Sequence, residues 1–236
     1  MSWDIWAIFF VLAVVLPWRG RIRVRRLMAM PQVTTMDRLA FYASTIAFQW
    51  AATAIVAWRA WAHGFTLRGL ALVIPHPGQV AFATVIGALL IGSLQWMNLR
   101  RVGRLKISAR GFLQIVAQRI LPQSAVEQLP YFALATTAGL CEEFLYRGFA
   151  MEVLRRVGLG TWLVVAVSAA LFALAHLYQG RGGLVSTLFI GAVFGCARIA
   201  YDSLIPVVAW HVTLDAIAGV AGPRYLVRRS DEPVGS

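Results

Sequence analysis

The sequence predicts an all-α, polytopic transmembrane helical bundle of about seven spans, with one amphipathic helix on the cytoplasmic surface. Three observations predict it. Of the 236 residues, 59% are hydrophobic and only 14% charged, and the mean hydropathy is +0.69; soluble domains carry about 25% charged residues. Several apolar runs approach the roughly 20 residues that cross a bilayer, and they lack the alternation a barrel requires, which leaves helix as the spanning structure. Basic residues cluster beside these runs rather than within them.

The first run, 3–18, has neither a basic leading region nor a small-residue cleavage site, so it reads as a retained span and not a signal peptide. Trp3, Trp6 and Trp18 suit interfacial anchors. Further spans are predicted at 39–58 and 79–98. Arg19, Arg21, Arg23, Arg25 and Arg26 follow the first span; Arg100, Arg101, Arg104, Lys106 and Arg110 follow the third. The positive-inside rule puts both clusters in the cytoplasm and the N-terminus outside. The intervening 66–78, broken by Pro75 and Pro77, reads as an extracytoplasmic loop. In the segment after Arg110, Phe112, Leu113, Val116 and Ile120 share one helical face and Arg110, Gln114 and Gln118 another, as in a helix lying on the membrane. Four more spans, 131–153, 161–178, 184–200 and 206–221, bring the tail inside, in accord with Arg224, Arg228 and Arg229. The chain is read as one membrane domain, 1–236, with N-terminal spans and basic loops at 1–110 and a four-span core at 130–221.

A net charge of +12 on such a chain implies anionic membrane lipids as partners and not nucleic acid. Cys141 and Cys196 both lie in apolar runs and are expected to pack between helices, neither as a disulfide nor as a metal pair.

Ionisable residues near a helix centre cost about 2.5–3.5 kcal/mol each on insertion scales for Asp, Lys and Arg, and ordinarily face the bundle interior. The first three spans have almost none, whereas the last four hold Glu142, Glu143, Arg147, His176, Arg198, His211 and Asp215. Glu143 and Arg147, four apart with the acid first, are placed to pair on one face. Glu142 is rotated about 100° away and is free to project elsewhere, with Ala138 and Gly139 leaving room beside it. Phe172 and His176 share a face, as do His211 and Asp215, and Arg198 and Asp202 are expected to pair at the membrane interface. Two imidazoles and a free carboxylate in a dry cavity can activate water against a carbonyl, with Glu142 taking the proton. Asp215 can orient His211 or help hold an oxyanion. The same trio, Glu142, His176 and His211, can equally ligate Zn²⁺ as a His₂Glu set. No HExxH is present, so a metal site would be assembled from three separate helices.

"EEFLYR", "FALAH" and "HVTLD" resemble, in order, the EExxxR, FxxxH and HxxxN/D motifs of the CPBP (CAAX protease and bacteriocin-processing, or Abi) family of intramembrane endopeptidases. The resemblance covers roughly 130–220. It implies a protease of a bacterial cytoplasmic membrane acting on a membrane-associated protein or peptide. It makes Glu142 the water-activating base, with His176, His211 and Asp215 as further catalytic residues and Glu143, Arg147 and Phe172 in support. Related prenyl endopeptidases carry Asn at the position of Asp215. Both a metal-dependent and a metal-free mechanism fit the resemblance. Two other readings stay open: a non-enzymatic membrane immunity or partner-binding protein of the same fold, and an ion-coupled transporter. The latter would more often show broken helices at related places in two halves. The span limits raise one difficulty: His211 falls about 9 Å inside a boundary at residue 205, while His176 falls near the opposite end. A compact site requires the fifth span to end differently, or "DSLIP" to dip into the bundle.

Overall fold

The computed structural model describes residues 2–106 and 110–227. These form helices and connecting segments with no strand. Five helices are long and apolar enough to cross a membrane, and Thr161–Ala175 is a shorter apolar one. With its outward faces set with large apolar side chains such as Phe82, Leu89, Leu94 and Trp162, this is an integral membrane protein. Arg228 and Arg229, and the side chain of Phe112, lie outside the described residues.

Helix α1 spans Trp3–Ala29, about 40 Å at 1.5 Å per residue. The expected end at residue 18 is therefore wrong. Arg19 to Arg26 are the last turns of the same helix and not a loop. Pro17 has no N–H to give the preceding turn, and the helix passes it through a π-helical stretch, Val11–Val15. Arg19 then lies over the Phe48 ring, and Arg23 donates to the Phe41 carbonyl (3.0 Å) of the next helix.

Helix α2, Thr35–Ala62, opens on a capping box between Thr34 and Asp37. After it, residues 65–76 do not simply loop through solvent. Phe65, Leu70 and Ala71 are buried, and Ala71 adopts a positive φ of 54°. Helix α3, Pro77–Gly103, has proline in its first turn, where no N–H is needed. The short helix α4, Gly111–Arg119, is present as expected but rotated: Gln114 and Ala117 face the protein, and Leu113 is exposed. Arg110 fixes it by donating to the Gly103 and Tyr225 carbonyls.

Helix α5 runs from Ala125–Glu143 through a π-helical stretch, Phe144–Ala150, into Met151–Arg156, extending past the predicted 131–153 at both ends. Helix α6, Thr161–Ala175, stops three residues earlier than predicted. His176 leaves the helical region, a 3₁₀ turn follows at Leu177–Gln179, and Gly180 at φ 75° turns the chain into α7, Gly180–Tyr201. Helix α8, Ile205–Leu226, packs against α3 and α5. Two close approaches position it: Trp210 covers Gly87 and donates to the Ala83 carbonyl (3.1 Å), and Val208 and Val212 lie directly against Gly139. A Cβ at Gly139 would sit 2.5 Å from Val212, so this glycine brings helices together and does not open a cavity.

The start of α8 resolves the depth problem. Ser203 and Leu204 are buried, the Leu204 N–H donates to the Ala71 carbonyl (2.9 Å), and Leu204 touches Gly148 in the middle of α5's π stretch. Helix α8 therefore begins two turns below the end of α5, with residues 65–76 closing the bundle over it. Cys141 is buried, but Cys196 is exposed on α7, contrary to the packing role expected of it.

Candidate active site

The polar residues of α5, α6 and α8 meet around the Phe172 ring. Its centroid is 4.6 Å from that of His176 and 5.8 Å from that of His211, and the Arg147 guanidinium lies 4.1 Å away over its face. Residues from three helices thus converge, α5 also supplying the buried wall of its π stretch.

Glu143 and Arg147 form the expected pair, at 3.0 Å with both side chains fully buried. The same Oε1 of Glu143 also accepts from His211 Nδ1 at 2.7 Å. Glu143, and not Asp215, therefore orients His211; Asp215 Oδ2 stands 3.7 Å from Nε2, beyond a hydrogen bond. Arg147 Nη2 also donates to the Gly191 carbonyl (3.3 Å), where the missing side chain lets α7 approach. Such a pair, if broken, leaves an uncompensated buried charge. The π stretch supports it: its Tyr146 and Arg147 carbonyls accept from Ser168 Oγ (2.9 Å) and Arg198 Nε (3.3 Å). Arg198 is buried in this role, not interfacial, and its contact with Asp202 is a loose 3.7 Å.

Glu142 points away from this pair. Its Oε1 accepts from Gln49 Nε2 of α2 at 2.7 Å, and its Oε2 is buried without a hydrogen-bond partner. Across 3.9 Å from that oxygen lies His176 Nε2. His176 Nδ1 is 2.9 Å from the Phe172 carbonyl, which can only accept, so Nδ1 carries the hydrogen and Nε2 presents a lone pair to Glu142. The same logic puts hydrogen on His211 Nδ1. Glu142 and His176 are partly exposed, whereas Glu143 and Arg147 are sealed. Asp215, at 39% side-chain exposure, forms the open rim.

Gln49 is the member of this cluster that sequence reasoning misses. It is one neutral amide in an apolar span, and only its unusual polarity among "STIAFQWAATA" marks it.

The donor set does not fit the His₂Glu metal centre. Among the described residues no three His, Cys, Asp or Glu side chains gather to hold an ion. The open atoms that face one another are two, Glu142 Oε2 and His176 Nε2, while His211 Nε2 faces Asp215.

The model of the family described as type II CAAX prenyl endopeptidase Rce1-like matches residues 125–217. Comparison with curated proteins and with solved structures returns no match. The matched segment runs from the first residue of α5 into α8 and contains all three motifs. It is the segment that builds the Glu142, His176 and His211 cluster. The family model thus falls on the segment that carries the three motifs, and residues 125–217 of this membrane protein are similar to those of Rce1-like, CAAX-type endopeptidases.

Proposed function

We propose that the protein is an intramembrane endopeptidase that hydrolyses a peptide bond of a membrane-associated protein or peptide, using water activated by Glu142. The observation that carries this reading is the pair of facing, uncommitted acceptors, Glu142 Oε2 and His176 Nε2, 3.9 Å apart. Each is held by a hydrogen bond on its other polar atom. A water about 2.8 Å from both subtends an angle of about 90°. It would donate one hydrogen to each acceptor and leave its lone pairs for an incoming carbonyl.

As the C–O bond forms, Glu142 takes the proton of the attacking water. His211, set between the Glu143 and Asp215 carboxylates, acts as the imidazolium with hydrogens on both ring nitrogens, Nδ1–H held by Glu143 and Nε2–H donating to the developing oxyanion. When the C–N bond breaks, Glu142 returns the proton to the departing nitrogen, so the enzyme ends as it began. Gln49 keeps the Glu142 carboxylate aimed, and the buried Glu143–Arg147 pair keeps His211 in register.

The basic last turns of α1 and the basic residues at 100–110 orient the chain with the C-terminus in the cytoplasm, in a bacterial cytoplasmic membrane. Lipid-facing helices around the site favour a substrate that is itself membrane-bound, a C-terminal or membrane-proximal segment. The test is to incubate the purified protein and its His176→Ala variant in liposomes with membrane peptides and to search for new peptide termini. New termini with the wild type alone are expected. If the wild type produces none from any peptide while still binding a membrane partner, the non-enzymatic reading takes its place.

A further inference from the structure

At the end of the bundle where residues 63–76, 157–160 and 202–204 gather, a cavity of about 420 Å³ opens between α5, α6 and α7. Of its lining residues only Arg198 reaches the Glu142 site, through its hydrogen bond to the Arg147 carbonyl. Arg68, Arg155 and Arg198 line it against a single carboxylate, Asp202. Its size lies within the roughly 300–1,000 Å³ of small-molecule sites.

The guanidinium donors here are incompletely used. Arg198, 3% exposed at its side chain, is locked in orientation by the Arg147 and Gly69 carbonyls through Nε and Nη2. Its Nη1 makes no hydrogen bond among the described residues; Asp202 Oδ1 is 3.7 Å away. Arg155 Nε is 3.6 Å from Glu152 Oε2, while the other Glu152 oxygen is taken by Arg156 at 3.0 Å. Arg68 meets Asp202 at a long 3.3 Å. Arg198 Nη1 is thus left with only a long ionic contact beside the cavity, where a bound anion would supply the hydrogen bond it lacks. Thr161, the first residue of α6, also lines the cavity, and no side chain caps that helix, so its first-turn N–H groups add positive potential.

The surroundings select the kind of anion. Ile199 lines the cavity and is 37% exposed, and the outward faces of Trp162 and Leu163 on neighbouring α6 are also open to lipid. An anion with apolar chains satisfies both halves of the site. We propose that Arg68, Arg155 and Arg198 bind the phosphate of an anionic phospholipid headgroup, whose acyl chains lie along α6 and α7.

The test measures lipid binding to purified full-length protein by native mass spectrometry, with phosphatidylglycerol, phosphatidylcholine and inorganic phosphate as probes. Arg68→Gln/Arg155→Gln removes two exposed arginines and leaves the buried Arg198 in place. Wild type should retain phosphatidylglycerol in preference to phosphatidylcholine, and the double variant should bind it roughly thirtyfold more weakly. A control removing equal charge at the opposite end, Arg100→Gln/Arg101→Gln, should lose no more than about threefold, the general attraction of a basic cluster for anionic lipid. An unchanged affinity in the first variant, an equal loss in the control, or no preference over phosphatidylcholine would overturn the site. Inorganic phosphate competing fully with the lipid at equal concentration would overturn the lipid assignment in favour of a soluble phosphate.

Discussion

Glu142 and Glu143 are adjacent in sequence, yet the structure assigns them opposite dependences, and exchanging each for glutamine separates them. Glu143 Oε1 accepts from Arg147 Nη1 at 3.0 Å and His211 Nδ1 at 2.7 Å in a fully buried setting. Glu143→Gln leaves the Arg147 guanidinium without its counter-charge, a loss of about 3–5 kcal/mol when one partner of a buried pair is removed. The amide oxygen can still accept one of the two hydrogen bonds, worth about 1 kcal/mol. The net destabilisation is then about 2–4 kcal/mol. At roughly 2–4 °C per kcal/mol for a chain of this length, the melting temperature should fall by roughly 4–16 °C. Glu142→Gln keeps the oxygen that accepts from Gln49 and replaces an oxygen that has no partner, in a partly exposed position. Its stability should stay within about 1 kcal/mol of wild type. Thermal unfolding in detergent, followed by the fluorescence of the nine tryptophans, reads both. Equal melting temperatures for wild type and Glu143→Gln, or a larger loss in Glu142→Gln, would refute this division of roles.

Three further outcomes are expected. Gln49→Leu removes the 2.7 Å hydrogen bond that aims Glu142, and the rate of peptide cleavage should fall roughly 10- to 100-fold, the cost of about one hydrogen bond to a charged group; an unchanged rate would remove Gln49 from the site. Asp215→Asn keeps a polar group at the rim of His211 and should retain cleavage within about tenfold, whereas Asp215→Leu should lose substantially more; equal rates for the two variants would show that the side chain takes no part. Cleavage should persist after dialysis against a strong chelator, since among the described residues no three ligands gather to hold an ion; activity lost on dialysis and restored by zinc would contradict the water-only mechanism.

The helices were legible from hydropathy because lipid leaves the backbone no other satisfied spanning form. The Glu143–Arg147 pair was legible because both residues sit on one continuous helix four positions apart. What spacing on one helix cannot encode is a partner on another. His211 lies four residues from Asp215, yet its hydrogen bond goes to Glu143, because Gly139 lets α8 press against α5 at that level. Gln49 was missed for the same reason: nothing in α2's own pattern says that Glu142 lies opposite. The ends of elements were misread where tertiary contacts override local pattern. Helix α1 carries its arginines for another two turns beyond the apolar run, with Arg19 resting on Phe48. Leu204 enters the bundle because the Ala71 carbonyl is there to receive its N–H. The inverted face of α4 reflects a competition between a protein surface, which takes Gln114 and Ala117, and lipid, to which Leu113 is left open.

The most direct measurement is the initial rate at which purified Glu142→Gln, with its melting temperature intact, cuts a membrane peptide that the wild type cuts. Loss of the base that takes the proton from water should lower that rate by roughly 10²–10⁴-fold. A folded Glu142→Gln protein that cleaves within tenfold of the wild type would show that the carboxylate facing His176 is not what activates the attacking water.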